Sequence, residues 1–179
     1  MPHNNTMITV FVRDCNISQS FYDSVLYGLQ IHQLGCPVCR HSACLSVHGY
    51  YFRTIAVSPE PFRLRVLRVR CAFCRATHAI LLSSMVPYSR IPFSDQLAVI
   101  YSCQQHEDRS RICDLNPAVD ENNVKSIIRS FRRHWEQKLL SLRISLAPVR
   151  TLVFRCFSDY SMQFMQIRRI PNVLFLSTT

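Results

Sequence analysis

Two C-x-x-C pairs constrain this chain more than any other feature of its sequence. They are C-P-V-C at residues 36–39 and C-A-F-C at residues 71–74. Such a turn places two sulfur atoms on one side of a tight loop, and two facing loops complete a tetrahedral thiolate site. The spacing therefore predicts a structural Zn²⁺ site. Its predicted ligands are Cys36, Cys39, Cys71 and Cys74.

The segment between the two pairs has β character. Residues 43–55 predict two strands around a tight turn at His48-Gly49, because glycine tolerates the positive φ that such a turn needs. Residues 63–70 predict a strand in which arginines alternate with apolar residues. The alternation slips by one residue after Val66, which exchanges the two faces and indicates a β-bulge. The apolar residues 77–85 predict the last strand of a zinc ribbon.

The position after each second cysteine often holds glycine in such loops, whereas this chain has Arg40 and Arg75. We expect both arginines in the left-handed region, at about 1 kcal/mol each. Binding of a structural zinc ion, roughly 10–16 kcal/mol, offsets that strain. His78 and Cys44 could replace a ligand, although four cysteines suffice. Four cysteines in an apolar core are the alternative to a metal site.

The N-terminal segment predicts a buried strand at residues 7–12 and a helix at residues 18–29. The apolar run at 7–12 is too short for a signal peptide. No run approaches the ~18 apolar residues of a membrane span, so we expect no membrane association through such a span. We therefore expect a cytoplasmic protein, in which thiols stay reduced and available for metal.

The C-terminal half begins with helical patterns. Ser94 can cap one helix, residues 107–115 predict a second, and Asp120 can cap a third that continues to residue 142. Phe131 and Trp135 lie on the apolar stripe of the third helix, which predicts core positions for both. A short helix, a turn and a basic amphipathic helix resemble a helix-turn-helix motif.

The charge of the chain favours a polyanionic partner. Lys and Arg number 21 against 11 Asp and Glu, which gives +10 at pH 7 with neutral His. The sequence predicts DNA as the partner, and solvated basic faces are the alternative. The predicted DNA contacts on the third helix are Lys125, Arg129, Arg132 and Arg133, supported by Arg63, Arg65, Arg68 and Arg70 of the arginine-rich strand.

Beyond Pro148 the sequence predicts strands at residues 152–154 and 173–176, the second docking beside the strand at 7–12. The predicted organisation is a strand-helix segment (1–34), an antiparallel zinc ribbon (35–90), a helix-turn-helix-like region (91–147) and a C-terminal β tail (148–179). The fold class is therefore α+β.

Several motifs resemble known families. G-C-P-V-C at 35–39, H-G-Y-Y-F-R at 48–53 and R-V-R-C-A-F-C at 68–74 are similar to the N-terminal zinc-binding region of ISL3-type transposases. Residues 77–88 and 163–176 resemble an uncharacterised bacterial family of small zinc-ribbon proteins linked to mobile elements. This resemblance covers nearly the whole chain. It implies a zinc ribbon with a helix-turn-helix and implies no established activity.

The sequence does not predict an enzyme. A transposase needs a carboxylate set that holds two metal ions, and the acids of this chain show no paired spacing. It also lacks a Gly-rich phosphate loop and an H-E-x-x-H motif. A Cys/His nucleophile pair among Cys103, His106 and Cys113 stays open. We therefore expect a zinc-dependent DNA-binding protein without catalytic residues. The alternatives are a protein-interaction module and a diverged transposase fragment that recognises only DNA ends. The sequence leaves a protein partner or a homo-oligomer open.

Overall fold

The computed structural model describes residues 6–13 and 17–177, and the chain divides into two compact units. The first, here called the sheet unit, lies within residues 1–53, 63–83 and 170–179. The second, here called the helical unit, lies within residues 54–62 and 84–169. The fold is α+β, as the sequence predicts.

A five-stranded sheet has the order β2-β3-β4-β1-β5. Its strands are β1 Thr6–Phe11, β2 Leu45–Ile55, β3 Phe62–Cys71, β4 Thr77–Leu82 and β5 Leu174–Ser177. β4 lies antiparallel to β3 and parallel to β1. The sheet is therefore mixed: β3 and β4 are antiparallel, as predicted for the ribbon, and β1 and β5 extend the sheet through parallel pairs.

Strand β1 lies between two parallel neighbours. Ile8 is paired with Ile80 of β4 and with Leu174 of β5. All six residues of β1 are buried, which matches an apolar run without alternation. The predicted docking of the C-terminal strand beside residues 7–12 is confirmed.

Strand β2 is continuous, so the predicted hairpin turn at His48-Gly49 is wrong. Gly49 lies inside the strand with φ +147°, and no atom lies within 4 Å of the position that a Cβ would take. A glycine permits positive φ inside a strand as well as in a turn. For that reason the His48-Gly49 dipeptide alone does not distinguish a continuous strand from a hairpin turn.

Helix α1 (Gln19–Gly28) hydrogen-bonds to the part of β3 that precedes its pairing with β4. The β3–β4 register runs only from Arg68 to Arg70 on β3. Before it, the Tyr22 hydroxyl accepts from Leu67 N at 3.0 Å and donates to Ile80 O at 2.8 Å. The buried Tyr22 therefore bridges the two strands where their ladder stops. Burial of both Val66 and Leu67 confirms the predicted slip in alternation.

One turn earlier on α1, Gln19 contacts β3 in the same way. Its Oε1 accepts from Arg65 N at 2.8 Å, and its Nε2 lies 3.4 Å from Arg65 O. A side-chain amide offers the donor and acceptor that a neighbouring strand would offer. Ser18 caps the helix by accepting from Phe21 N at 3.1 Å. Helix α1 thus takes the place of a strand beside this part of β3.

The helical unit contains five helices among its described residues. They are α2 Phe93–Gln104, α3 Arg109–Leu115, α4 Glu121–His134, α5 Glu136–Ser141 and α6 Val149–Tyr160. Asp108 and Asp120 cap α3 and α4 through bonds from backbone N–H groups. The cap at Asp120 confirms the prediction. The third predicted helix does not continue to residue 142 without interruption. Trp135 has a non-helical conformation and separates α4 from α5.

Aromatic side chains fill the core of the helical unit. Trp135 and Phe164 are fully buried, with ring centroids 5.3 Å apart. Phe131 and Tyr160 add further edge-to-face contacts to these rings. The indole Nε1 of Trp135 donates to Gln166 O at 3.1 Å, which satisfies its one donor. The predicted core positions of Phe131 and Trp135 are confirmed.

The predicted strand at residues 152–154 is wrong, because these residues lie in helix α6. Leu152, Val153, Cys156 and Phe157 are its buried residues, and that spacing follows a helical period. The region 148–179 therefore contains a helix and one strand rather than a β tail. Within the described part of the chain, no helix combines the length and apolar character that crossing a membrane requires.

Candidate metal centre

The two C-x-x-C loops share one hydrogen-bond pattern. In each, the N–H of the first cysteine donates to the carbonyl five residues later, and the N–H four residues later donates back to the first cysteine's carbonyl. These distances are 2.9 and 2.8 Å in the loop that starts at Cys36. They are 2.9 and 3.1 Å in the loop that starts at Cys71. Two equivalent turns therefore present two pairs of sulfur atoms.

Arginines occupy the position in each loop that favours glycine. Arg40 has φ 62° and Arg75 has φ 63°, which confirms the predicted left-handed conformation at both. A residue with a Cβ is strained in this region by roughly 1–2 kcal/mol. Both loops therefore depend on their other contacts to hold this turn.

The four thiols converge. The Sγ atoms of Cys36, Cys39, Cys71 and Cys74 all lie within 4.8 Å of one another. The Cys36–Cys74 and Cys39–Cys71 separations are both 3.6 Å. A tetrahedral Zn²⁺ with Zn–S bonds of about 2.3 Å places its sulfurs about 3.8 Å apart. A disulfide needs about 2.05 Å. The arrangement fits four separate thiolates around one metal ion and does not fit disulfides.

Local contacts act on these thiols in opposite directions. Burial raises the pKa of Cys36 to about 12. The hydrogen bond from the backbone of His41 lowers the pKa of Cys39 to about 6. Thiolates at these separations repel one another, and a bound metal cation would allow all four to ionise together.

His78 lies beside the cluster and is fully buried. Its Nε2 lies 3.4 Å from the Sγ of Cys36, and its Nδ1 is hydrogen-bonded to the hydroxyl of Thr6. Burial lowers the pKa of His78 to about 4, so the ring is neutral. The Thr6 hydroxyl can donate to Nδ1, which leaves Nε2–H to donate to the sulfur. His78 is not one of the four cysteines of the cluster, but it hydrogen-bonds to one of them, Cys36. Through Thr6 it also connects β1 to the cluster.

Cys44 is a fifth thiol at the same centre. Its Sγ lies 3.5 Å from that of Cys71 and 3.0 Å from the carbonyl oxygen of His41. Its own carbonyl accepts from Ala72 N at 2.9 Å. Cys44 therefore ties the first loop to the second through its backbone as well as its sulfur.

Comparison of the chain with protein-family models, with curated proteins and with solved structures finds no match. The metal centre is therefore inferred from its own geometry. The resemblance to ISL3-type transposases depends on the sequence motifs alone.

The predicted DNA contacts on α4 lie together on one open groove. Its volume is about 1110 Å³, and helices α3 and α4 form most of its walls. Four exposed bases of α4 line it: Lys125, Arg129, Arg132 and Arg133. Arg109 of α3 adds a fifth. The groove also includes Glu107, whose carboxylate pairs with Arg111 at 2.6 Å, and the capping residue Asp108.

The predicted contacts on β3 are less uniform. Arg63 and Arg65 are exposed, but Arg68 is half-buried and donates to Thr77 Oγ1 at 2.9 Å. Arg70 is also half-buried, and its Nε is enclosed with no hydrogen-bond partner among the described residues. Only the first two arginines are therefore presented openly to a ligand.

Sequence reasoning missed two aromatic residues beside these arginines. The guanidinium of Arg63 lies 4.6 Å from the ring centroid of Phe52, and that of Arg65 lies 4.9 Å from that of Tyr50. Both rings belong to β2, two residues apart. The signal was present in the sequence, since aromatic residues at every second position of one strand share a face.

Proposed function

We propose that the four cysteines hold a structural Zn²⁺. A donor set made only of thiolates, in a tetrahedral arrangement, is typical of zinc among the metals that reduced proteins bind. With four protein ligands the ion keeps no open position for a substrate, so its role is to cross-link the two loops. Cys71 ends β3, so the ion would fix that end of the strand.

We propose further that the protein binds DNA, with α4 in the major groove. The observation that carries this proposal is the row of exposed bases that α4 presents to one groove, described above. Among the described residues only Lys125 of that row has an acidic partner, Glu121 at 3.9 Å. Exposed guanidinium and ammonium groups without acidic partners are available for phosphates and for guanine edges.

We propose that the protein acts in a mobile element or in transcriptional regulation. We also propose that it has no catalytic centre. The motif resemblance to the zinc-binding region of ISL3-type transposases supports the first setting. A diverged transposase fragment that retains only recognition of DNA ends is one form of the same proposal. We propose a cytoplasmic location on the ground of the reduced cysteines.

The proposal is tested by fluorescence anisotropy with a labelled random-sequence duplex across a salt series. We expect micromolar or tighter binding at low salt, falling linearly on a log–log plot with a slope of about −0.9 per phosphate contact. Substitution R129A/R132A/R133A should weaken binding and flatten the slope by up to about 2.7.

The matched control is R143A/R150A/R155A, which removes the same charge from exposed positions of the same unit. It should leave the slope close to that of the unmodified protein. No binding at 50 mM salt, a salt-independent affinity, or equal losses in the two triple variants would contradict DNA binding by α4.

One observation favours a second candidate, a protein-interaction module. β5 is the last strand in the sheet order, and its Leu174, Phe175 and Leu176 are only half-buried. An edge strand of this composition can accept a partner's strand. Partner binding through β5 should survive R129A/R132A/R133A, whereas DNA binding should not.

A further inference from the structure

We propose that the exposed face of β2 and β3 binds single-stranded nucleic acid. In this proposal Tyr50 and Phe52 stack on unpaired bases, and Arg63 and Arg65 contact the phosphates beside them. The surface belongs to the sheet unit and uses no residue of α4. This proposal is therefore tested independently of duplex binding by the helical unit.

The two rings are exposed although each already has a guanidinium over it. Tyr50 is 53% exposed and Phe52 is 59% exposed. Aromatic residues normally bury most of their surface, and adjacent exposed ones mark an interaction site. The arginines hold the rings by cation–π contact, which restricts their rotamers before any ligand arrives. A base can therefore stack on a ring that is already oriented.

The spacing of the rings favours an unstacked strand over a duplex. Residues two apart on a β-strand are separated by about 6.6 Å. Bases within a duplex are stacked about 3.4 Å apart and present only their edges. Two successive bases can meet these two rings only if the strand is extended and its bases are separated. Single-stranded nucleic acid meets that condition, and stacking on aromatic side chains is how such strands are commonly held.

The charge around the rings also suits a polyanion. Arg63 makes no ion pair within the described residues, so its charge is available to a phosphate. Arg65 lies 3.9 Å from Asp23 of α1, a distance and exposure at which an ion pair is weak. A phosphate can therefore compete with Asp23 for Arg65. A nucleic acid strand offers bases to the two rings and phosphates to the two guanidinium groups. An uncharged peptide offers no anionic group to the arginines.

The test measures anisotropy of labelled dT20, which is unstacked and forms no duplex, with the zinc-loaded full chain. We expect salt-dependent binding that Y50A/F52A weakens by at least tenfold, because each stacked base contributes substantially to affinity. The conservative variant Y50F/F52Y should bind like the unmodified protein. R63A/R65A should reduce the salt slope by about 1.4, at 0.7 per phosphate contact on a single strand.

Two controls separate this surface from the rest of the molecule. Y27A removes a ring that is 96% exposed on α1, and it should not change dT20 binding. R129A/R132A/R133A should also retain dT20 binding, even where it abolishes duplex binding. Metal content and circular dichroism of Y50A/F52A show whether that variant is folded.

Three results would overturn the proposal. They are no dT20 binding by the unmodified protein at low salt, equal affinity of folded Y50A/F52A, and loss of dT20 binding in the α4 variant. The first would exclude single strands as the ligand of this face. The last would assign single strands to the helical unit. A failure of duplex binding alone would contradict the function proposed for α4 and not the one proposed here.

Discussion

The sheet unit and the helical unit are stabilised by different kinds of contact. In the sheet unit, polar and sulfur atoms add links to the apolar core: four thiols converge, and a tyrosine hydroxyl joins two strands. In the helical unit, buried aromatic rings around Trp135 make them. A core of rings tolerates the loss of one polar atom, whereas a centre of ligands does not. Loss of a cysteine in the sheet unit and loss of a ring in the helical unit should therefore differ in their effects on metal content and stability.

Loss of a metal ligand should have the largest effect of any change considered. The variant C71S removes a buried sulfur that ends β3, and a structural zinc ion contributes roughly 10–16 kcal/mol of apparent binding energy. We expect the variant to lose the metal and the amide protection of β2 and β3. Inductively coupled plasma mass spectrometry and hydrogen exchange measure the two effects.

The matched control for C71S is C44S, which removes a thiol only 3.5 Å away that is outside the four-sulfur set. It should keep one metal ion per chain. If C44S loses the metal, or C71S retains it with a folded sheet, the ligand assignment is wrong.

Truncation of Trp135, the central ring of the helical unit, is the counterpart of the C71S experiment on the sheet unit. The variant W135A should lower the free energy of unfolding by about 3–5 kcal/mol, because it removes the largest fully buried side chain and leaves a cavity. Metal content should stay at one ion per chain, since all four proposed ligands lie in the sheet unit. Urea unfolding followed by circular dichroism measures the stability.

The control for W135A is L140A, at a leucine that is 65% exposed on α5. It should change stability by less than about 0.5 kcal/mol. Loss of metal in W135A would show that the two units do not respond separately, and it would contradict the comparison drawn above.

The sequence predicted what short-range patterns encode. The cysteine loops follow from local spacing, and the cap at Asp120 follows from one side chain and its own helix. The strands predicted at 7–12 and 173–176 follow from apolar runs and correspond to β1 and β5. The strand predicted at 152–154 failed because three apolar residues are compatible with either structure. The buried residues of α6 at 152, 153, 156 and 157 show the helical period only over a longer window.

The links made by Gln19 and Tyr22 could not be predicted, for a different reason. Each joins residues more than forty positions apart through one polar atom or amide. No local sequence pattern around a glutamine or a tyrosine predicts such a contact. The ring pair Tyr50 and Phe52 is an intermediate case. Its shared face follows from the period of a strand, but its arginine partners depend on how β3 is placed against β2.

Removal of the Tyr22 hydroxyl should have an intermediate effect. In Y22F, Leu67 N loses a buried acceptor and Ile80 O loses a buried donor, and the ring itself stays in place. Unsatisfied buried groups of this kind cost about 1–3 kcal/mol in stability. Y27F, at an exposed tyrosine of the same helix, should cost nothing measurable. Equal stability of Y22F and the unmodified protein would show that the bridge between β3 and β4 is dispensable.

The smallest predicted effect has opposite signs in the two units. Arg75 has φ 63°, so R75G relieves left-handed strain of roughly 1–2 kcal/mol, while glycine's greater freedom in the unfolded chain offsets about 0.5–1 kcal/mol. We expect a net gain of about 0–1.5 kcal/mol for the zinc-loaded protein. Arg129 lies inside α4, where the same substitution should cost about 1 kcal/mol. Urea unfolding of R75G and R129G, each with metal bound, compares them directly. If R75G is as destabilising as R129G, the side chain of Arg75 must itself stabilise the loop, because its backbone conformation alone predicts a gain.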